Sequence, residues 1–165
     1  MEKSIIIKTK NGKEITIARK AAELSEFLKE AMNDYPNETV FTLDEIDEKY
    51  GAKMKEYLEH INGVPPKEIP KPIPCYEMKK LTDGWSANFI DKLSLEEVVN
   101  LTVVANQMGI KSLLDLCCAK VATIFKDREE KEVFRHFGIK ESITEKDTKK
   151  LKELKEQNKW IEDNL

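Results

Sequence analysis

Two consecutive helix patterns in the middle of the chain constrain the fold more than any other feature. The first opens at Ser94, where Glu97 three residues later completes a capping box, and it extends to about Met108. The second covers about Lys111 to Phe125. In both patterns apolar side chains occupy more than one face, whereas a surface helix needs only one. These two helices must therefore lie in a core or against a partner.

The segment before them predicts a small sheet with short helices. Ile5 to Ile7 and Ile15 to Ile17 are β-branched runs on either side of Asn11-Gly12, which is a strong hairpin signal. Polar and apolar residues alternate over Thr39 to Leu43, as in a half-buried strand. The residues between the hairpin and this strand predict two short helices and then a loop. The helices cover Arg19 to Met32 with a cap at Ser25, and the loop covers Asn33 to Asn37.

A longer helix and a proline-rich segment follow. Apolar residues recur at helical spacing from Ile46 to Ile61, and Gly63 stands where a helix C-terminus favours glycine. Val64 to Pro74 then holds five of the six prolines. Such a composition is typical of an extended segment, so we expect a loop over 64–80.

Composition narrows the class of protein. The 165 residues fit one domain, or one domain with an extension. A net charge of −3 disfavours binding to nucleic acid or to a membrane surface. The first residues, Met1 to Ser4, do not open a signal peptide, and no apolar run approaches a membrane span. We therefore expect a soluble intracellular protein without nucleic-acid or membrane partners.

The residues that usually carry chemistry are few and scattered. His60 and His136 are far apart in the sequence, which disfavours a zinc site. Cys117 and Cys118 are adjacent, so they diverge on a helix, and we expect both to be core-side cysteines with the two histidines on the surface. Neither a nucleophile elbow nor a glycine-rich phosphate loop occurs. No metal, no cofactor and no enzymatic activity are expected.

The tail differs in composition from the rest. From 126 to 165, 11 basic and 11 acidic residues fill 22 of 40 positions, and amphipathic helices are expected at Lys131 to His136, ended by Gly138, and after Thr144. The later helix is either docked on its own domain or an exposed strip for a partner, with Trp160 as an interface anchor. Its apolar seam has the spacing of a short coiled coil, with one polar residue: Leu151, Leu154, Asn158, Ile161 and Leu165.

Several motifs together resemble one family. Leu101 to Asp115 reads LTVVANQMGIKSLLD, and Leu116 to Ile124 reads LCCAKVATI. Phe134 to Lys140 and the closing Glu156 to Trp160, EQNKW, follow in the same order as in that family. The chain resembles the Skp family (S-phase kinase-associated protein), the adaptor subunits of SCF ubiquitin ligases. The likeness covers nearly the whole chain.

The resemblance implies an α/β fold and two kinds of partner. The fold would be a BTB/POZ-like domain, a small sheet with helices, over 1–125, followed by a C-terminal helical extension over 126–165 that binds the F-box. One side would hold the F-box of a substrate receptor. Another side would hold the cullin scaffold, and through it a RING subunit. Weak self-association is left open.

The resemblance also assigns residues to both sides. Asn106 and Gln107 would contact the cullin. The F-box side would include residues from both middle helices and from the tail: Val98, Thr102, Leu114, Cys118, Val121, Phe137, Ile139 and Trp160.

The chain also departs from the family pattern. Gln107 replaces an aromatic residue that is usual at the cullin contact, and Thr102 replaces an aliphatic residue on the F-box side. About three extra residues lie between Thr144 and Trp160. These departures keep an alternative open, in which a divergent Skp-like subunit binds F-box-type helices outside a cullin ligase.

Overall fold

A computed structural model describes residues 4–126, 128–138, 149–150 and 152–153. The chain divides into two compact units, Met1–Asp127 and Arg128–Leu165. The first unit is of mixed α/β structure with a small sheet, and the described part of the second unit is helical.

The sheet is built on the predicted hairpin. Strands β1 (Ser4–Thr9) and β2 (Glu14–Ala18) are antiparallel, and Gly12 takes the positive φ of +74° that the tight turn needs. Strand β3 (Val40–Leu43) joins β1 in parallel, which gives the order β2-β1-β3. The register brings four buried isoleucines to one face of the hairpin: Ile5 opposite Ile17, and Ile7 opposite Ile15.

The two short helices between the strands form as predicted. Helix α1 (Arg19–Ala22) precedes α2 (Glu26–Asp34). The Ser25 hydroxyl caps α2 by accepting from the Leu28 N–H at 3.2 Å. The expected loop begins later than Asn33, because α2 continues through Asp34 with the Tyr35 N–H bonded to the Ala31 carbonyl.

Helix α3 (Glu48–Ile61) supplies several large, fully buried side chains to the core. It starts at Asp47, whose carboxylate accepts from the Lys49 N–H, and it ends at Asn62 and Gly63, both at positive φ. Met54, Tyr57 and Leu58 are fully buried. The helix packs against β2 and against the first of the two middle helices.

The predicted loop over 64–80 is shorter than expected at its C-terminal end. Residues 64–77 lack helix and strand, but α4 (Met78–Leu81) begins within the predicted range because Met78 and Leu81 bury their side chains. Helix α5 (Gly84–Asp91) follows, capped by the Asp83 carboxylate, which accepts from the Trp85 and Ser86 N–H groups.

The middle helices form the centre of the first unit. Helix α6 (Leu95–Gln107) starts with the predicted capping box of Ser94 and Glu97. Helix α7 (Lys111–Phe125) packs along α6 and also against α5. Their inward faces are apolar and closed to solvent, as the sequence indicated: Val98, Leu101, Val104, Ala105, Leu113, Leu116, Cys117 and Ala119.

The second unit contains α8 (Glu130–His136), and Gly138 at φ +64° follows it. This confirms the predicted helix and its glycine end. Residues 149–150 and 152–153 are helical. The remainder of the helix expected after Thr144, and its seam up to Leu165, lie outside the described residues.

Candidate protein-interaction surfaces

The α6 residues assigned to the F-box side are largely internal. Val98 has no exposed surface, so in this structure it supports the packing of α6 and offers no contact to a partner. Thr102 is partly buried, and its hydroxyl donates to the Val98 carbonyl at 2.7 Å. The α6 face that carries these two residues is therefore already occupied within the chain.

Helix α7 instead carries a stripe of residues whose solvent exposure ranges from partly buried to exposed. Leu114, Cys118 and Val121 lie at i, i+4 and i+7, which places them on one face. Leu114 and Val121 are partly buried, whereas Cys118 is exposed. Phe125, four residues beyond Val121, continues the same face with 51% of its surface exposed. We call these four residues the α7 stripe.

The α7 stripe is long enough to receive a helical segment. At a rise of about 1.5 Å per residue, Leu114 and Phe125 lie about 16 Å apart along the axis. The sequence analysis missed Phe125, although its i+4 spacing from Val121 was a usable signal. Of the tail residues assigned to this side, Phe137 has 40% of its surface exposed, and Ile139 and Trp160 lie outside the described residues.

The residues assigned to the cullin side lie at the end of α6. Asn106 and Gln107 are both exposed, and the Gln107 amide donates to the Glu45 carboxylate at 3.1 Å. Gln107 also lines a shallow cavity with Phe27 and Met108. Phe27 exposes 43% of its surface there.

Exposed valines extend this surface along α6. Val99 and Val103 expose 48% and 52% of their surfaces, and with Asn106 they occupy i, i+4 and i+7 positions of one face. We call Val99, Val103, Asn106, Gln107 and Phe27 the α6 patch. Neither valine nor Phe27 was singled out in the sequence, because an apolar residue on a helix gives no sign by itself of lying outside the core.

The cysteines differ from expectation in one respect. Cys117 is buried, but Cys118 is exposed, because neighbours on a helix point about 100° apart. Burial raises the pKa of the Cys117 thiol to about 12, and the adjacent Thr102 hydroxyl offsets only part of that effect. A thiol with so high a pKa is almost entirely protonated at neutral pH and is a poor nucleophile.

Other classes of site find little support among the described residues. His60 is exposed, as expected, and stacks on the Trp85 ring with centroids 3.7 Å apart, whereas the side chain of His136 lies outside the described set. Within the described ranges, His, Cys, Asp and Glu do not gather into a group able to hold a metal ion. A helix with the length and apolarity to cross a membrane is likewise not found in that part of the chain.

Comparison with known proteins identifies the family. The Skp1 family, dimerisation domain, matches residues 111–161. The S-phase kinase-associated protein 1 homolog of Tetrahymena thermophila is 34% identical over 150 residues, which cover 90% of this chain and 88% of that protein.

More distant relatives align over a similar length. The E3 ubiquitin ligase complex SCF subunit sconC of Arthroderma otae is 26% identical over 160 residues, covering 96% of this chain and 94% of that protein. SKP1-like protein 18 of Arabidopsis thaliana is 25% identical over 157 residues, or 94% of each chain. With a relative this similar over nearly its full length, and with the motifs of α6 and α7 in place, the chain belongs to the Skp1 family.

Proposed function

We propose that this protein is a non-catalytic adaptor of an SCF-type cullin-RING ubiquitin ligase. It bridges the cullin scaffold to F-box substrate receptors and so serves ubiquitin-dependent protein degradation. Family membership supports this role, since relatives carry the names S-phase kinase-associated protein 1 homolog and SCF subunit. No cofactor is required, and the protein acts in the cytoplasm and nucleus.

A single structural observation carries the proposal. One unit presents two different surfaces with exposed apolar side chains, the α7 stripe, of which Cys118 and Phe125 are exposed, and the α6 patch, on helices that are otherwise packed into the core. An adaptor has to bind two partners at once, and each partner needs its own surface. Aromatic and aliphatic side chains at the centre of such surfaces supply most of the binding free energy.

The F-box side uses the α7 stripe. An amphipathic helix of the receptor lies along Leu114, Cys118 and Val121, with its apolar face toward them. The extension over 126–165 contributes Phe137, Ile139 and Trp160, and Val98 and Thr102 support α6 from within. Exposure of Cys118 in the free chain fits this role, because an interface residue is open to solvent until the partner arrives.

The cullin side uses the α6 patch. Asn106 and Gln107 provide polar contacts at its edge, and Phe27 and Val103 provide apolar area. The Gln107–Glu45 hydrogen bond holds the glutamine side chain against the domain, so a cullin meets a partly ordered surface. Ordering before binding lowers the entropy that association costs.

The domain assignment is part of the same proposal. Residues 1–125 form a BTB/POZ-like domain, in which the sheet of β1 to β3 and the helices α3, α6 and α7 share one core. Residues 126–165 form the F-box-binding extension. The domain works by geometry alone, since it fixes a substrate receptor relative to the ligase scaffold.

Two matched substitutions test whether the surfaces are separate. Cys118→Asp places a charge on the α7 stripe, and Val103→Asp places the same charge on the α6 patch. Both residues are exposed, so the free protein should keep its thermal stability. We expect Cys118→Asp to weaken binding of an F-box peptide at least tenfold and to leave binding of a cullin N-terminal fragment unchanged.

Val103→Asp should show the reverse pattern by isothermal titration calorimetry with the same two ligands. If each substitution weakens both partners equally, the two surfaces are not separate and the assignment is wrong. If F-box binding persists and the wild-type protein binds no cullin fragment, the protein is a Skp-like subunit that works outside a cullin ligase.

A further inference from the structure

The shallow cavity beside Gln107 combines apolar and acidic lining residues. It has a volume of about 350 Å³ and lies within the first unit. Two of its apolar lining residues, Ile46 and Met108, are buried, and Leu43 is partly buried. Phe27 also lines it and is exposed. The cavity therefore offers apolar contact area to a side chain of a partner.

The cavity carries negative charge. In the described part of the chain, the charged residues that line it are both acidic, Asp44 and Glu45, and both are exposed just after β3. The other polar lining residues, Thr42 and Gln107, are neutral. Among the described residues, neither carboxylate forms an ion pair with a basic side chain. Two carboxylates without a paired cation thus stand beside an apolar surface.

Two bonds fix the parts of the cavity relative to one another. The Glu45 carboxylate accepts from the Gln107 amide at 3.1 Å, which ties it to the end of α6. Because an amide is neutral, this bond orients the carboxylate without cancelling its charge. The Phe27 N–H donates to the Met108 carbonyl at 3.4 Å, which keeps Phe27 next to the same end of α6. The aromatic residue and the acidic residue are therefore in place before a partner binds.

This combination fits a long cationic side chain. The aliphatic stem of arginine or lysine packs on apolar surface while the charged head remains near water. Arginine fits better, because its planar guanidinium group stacks on an aromatic ring and donates to carboxylates at the same time. A purely apolar side chain would instead take water away from the two carboxylates without replacing it.

The cavity is continuous with the surface assigned to the cullin. Phe27 and Gln107 belong to the α6 patch and also line the cavity. The exposed valines of that patch, Val99 and Val103, lie on the helix that Gln107 ends. A partner that covers the α6 patch therefore also reaches the cavity and its two carboxylates.

We propose that the partner of the α6 patch inserts an arginine side chain into this cavity, with the guanidinium group on the Phe27 ring and paired with Asp44 and Glu45. This inference rests on the proposed function, in which that partner is the cullin scaffold. The three residues then determine specificity, because a partner without the arginine would leave both carboxylates unpaired within the interface.

The cavity can be tested without a cullin. The probe is N-acetyl-arginine amide, and N-acetyl-citrulline amide is its neutral control of nearly the same shape. Amide NMR spectra of the full chain follow both titrations. We expect the arginine probe to bind with a Kd of about 10 mM or tighter and to shift the signals of Phe27, Glu45 and Gln107. The citrulline probe should bind about threefold more weakly or worse.

Removal of the two charges tests the same contact in the complex. The acid-free variant combines Asp44→Asn with Glu45→Gln, and it should bind a cullin N-terminal fragment about tenfold more weakly in low salt, with a smaller loss in high salt. Isothermal titration calorimetry measures both affinities. The matched control combines Glu56→Gln with Glu59→Gln, which removes the same charge from exposed positions of α3. It should stay within about twofold of the wild type.

The partner side chain is identified by changing the arginines of the cullin fragment to methionine one at a time. We expect one of these changes to weaken binding to the wild-type protein about tenfold and to have little further effect on the acid-free variant. Such non-additivity in a double-mutant cycle shows that the two sets of groups contact each other.

The outcomes separate this contact from the adaptor role. Binding of the arginine probe at the cavity, with no binding of any cullin fragment, would support the cavity assignment and contradict the adaptor role. Cullin binding that is equally strong with the acid-free variant, or equally weakened by the α3 control, would overturn the inference and leave the adaptor role in place.

Three further results would overturn the inference. They are equal binding of the two probes, coupling of the acid-free variant to a lysine of the cullin fragment instead of an arginine, and signals of Phe27 and Glu45 that change when the protein alone is diluted. The last result would mean that a second copy of the chain covers the cavity.

Discussion

At the scale of single residues, Ser25 links distant parts of the sequence. Its side chain is fully buried, accepts from the Leu28 N–H and donates to the Met108 carbonyl at the end of α6. One hydroxyl thus caps α2 and fixes it against the helix that carries the α6 patch. Because Phe27 stands on α2 and Gln107 on α6, this bond also helps to place two residues of that patch side by side.

Ser25→Ala should cost about 2–3 kcal/mol of unfolding free energy. The substitution removes a helix cap and the buried Ser25–Met108 bond, and it leaves the Met108 carbonyl with only the longer bond from the Phe27 N–H at 3.4 Å. Ser94→Ala is the matched control, since it removes an exposed cap and should cost about 1 kcal/mol. Urea unfolding followed by circular dichroism measures both. Equal losses would show that the bond to Met108 contributes nothing.

The sequence predicted part of this residue-scale picture. Ser25 was recognisable as a cap, because serine before a helical pattern has a local signature. Its bond to Met108 joins residues 83 positions apart, and the Gln107–Glu45 bond joins residues 62 apart. No local pattern reports such pairs, since they depend on how the helices pack. For the same reason the exposure of Val103 and Phe27 could not be anticipated.

At the scale of elements, the α6 capping box has a second role. The Glu97 carboxylate accepts from the Ser94 N–H at 2.8 Å and also pairs with Lys49 of α3 at 2.7 Å. The Lys49 ammonium, through its hydrogen bond, holds the pKa of Glu97 down to about 2 from the ordinary 4.5. One carboxylate therefore takes part in the N-terminal capping box of α6 and also joins α6 to α3.

This arrangement predicts how stability changes in acid. A carboxyl group whose pKa is lower in the folded chain stabilises the fold above its unfolded pKa, and the effect is lost as pH falls from about 4.5 through about 2. In Glu97→Gln the amide can keep the capping bond but not the ion pair. The variant should therefore lose less stability than the wild type over that pH range.

Thermal melts at a series of pH values measure the difference, with Lys49→Met as a partner variant. Lys49→Met should resemble Glu97→Gln if the ion pair is the cause. Parallel pH curves for the wild type and Glu97→Gln would show that the shifted carboxyl group does not matter. The Lys49 side chain is 57% exposed, so added salt should reduce the effect.

Elements with a strong local signal were predicted well, whereas α4 was not predicted. The hairpin, α3, α6, α7 and the glycine-ended α8 each combine a periodic pattern with a cap or turn residue. Helix α4 has only four residues, so no period can develop, and it forms because Met78 and Leu81 find buried positions. Helix α2 likewise runs past its predicted end, since its last turn is decided by contacts and capping.

At the scale of the whole molecule, the chain has more apolar surface than its own core can use. The inward faces of α6 and α7 fill the core, while the α6 patch and two residues of the α7 stripe, Cys118 and Phe125, are exposed. The sequence indicated this excess through helices that are apolar on more than one face. Which residues face outward depends on packing. Val98, which the resemblance assigned to a surface, is buried, whereas Phe125, Val103 and Phe27 belong to the exposed surfaces.

The bridging role requires more than two separate binding surfaces, because both partners must be bound at the same time. Standard interfaces bury roughly 1,600 Å² in total, or about 800 Å² on each side, so two can coexist on one small domain if they do not overlap. The α7 stripe and α6 patch share no residue. Occupancy of one should therefore leave the affinity of the other nearly unchanged.

The most direct measurement is a titration of the full-length protein with a cullin N-terminal fragment, without and with saturating F-box peptide. The account predicts a stable three-component complex, seen as one species by light scattering, with similar cullin affinity in both titrations. Competition between the two ligands, or no cullin binding in either titration, would contradict the claim that this protein bridges a cullin to an F-box receptor.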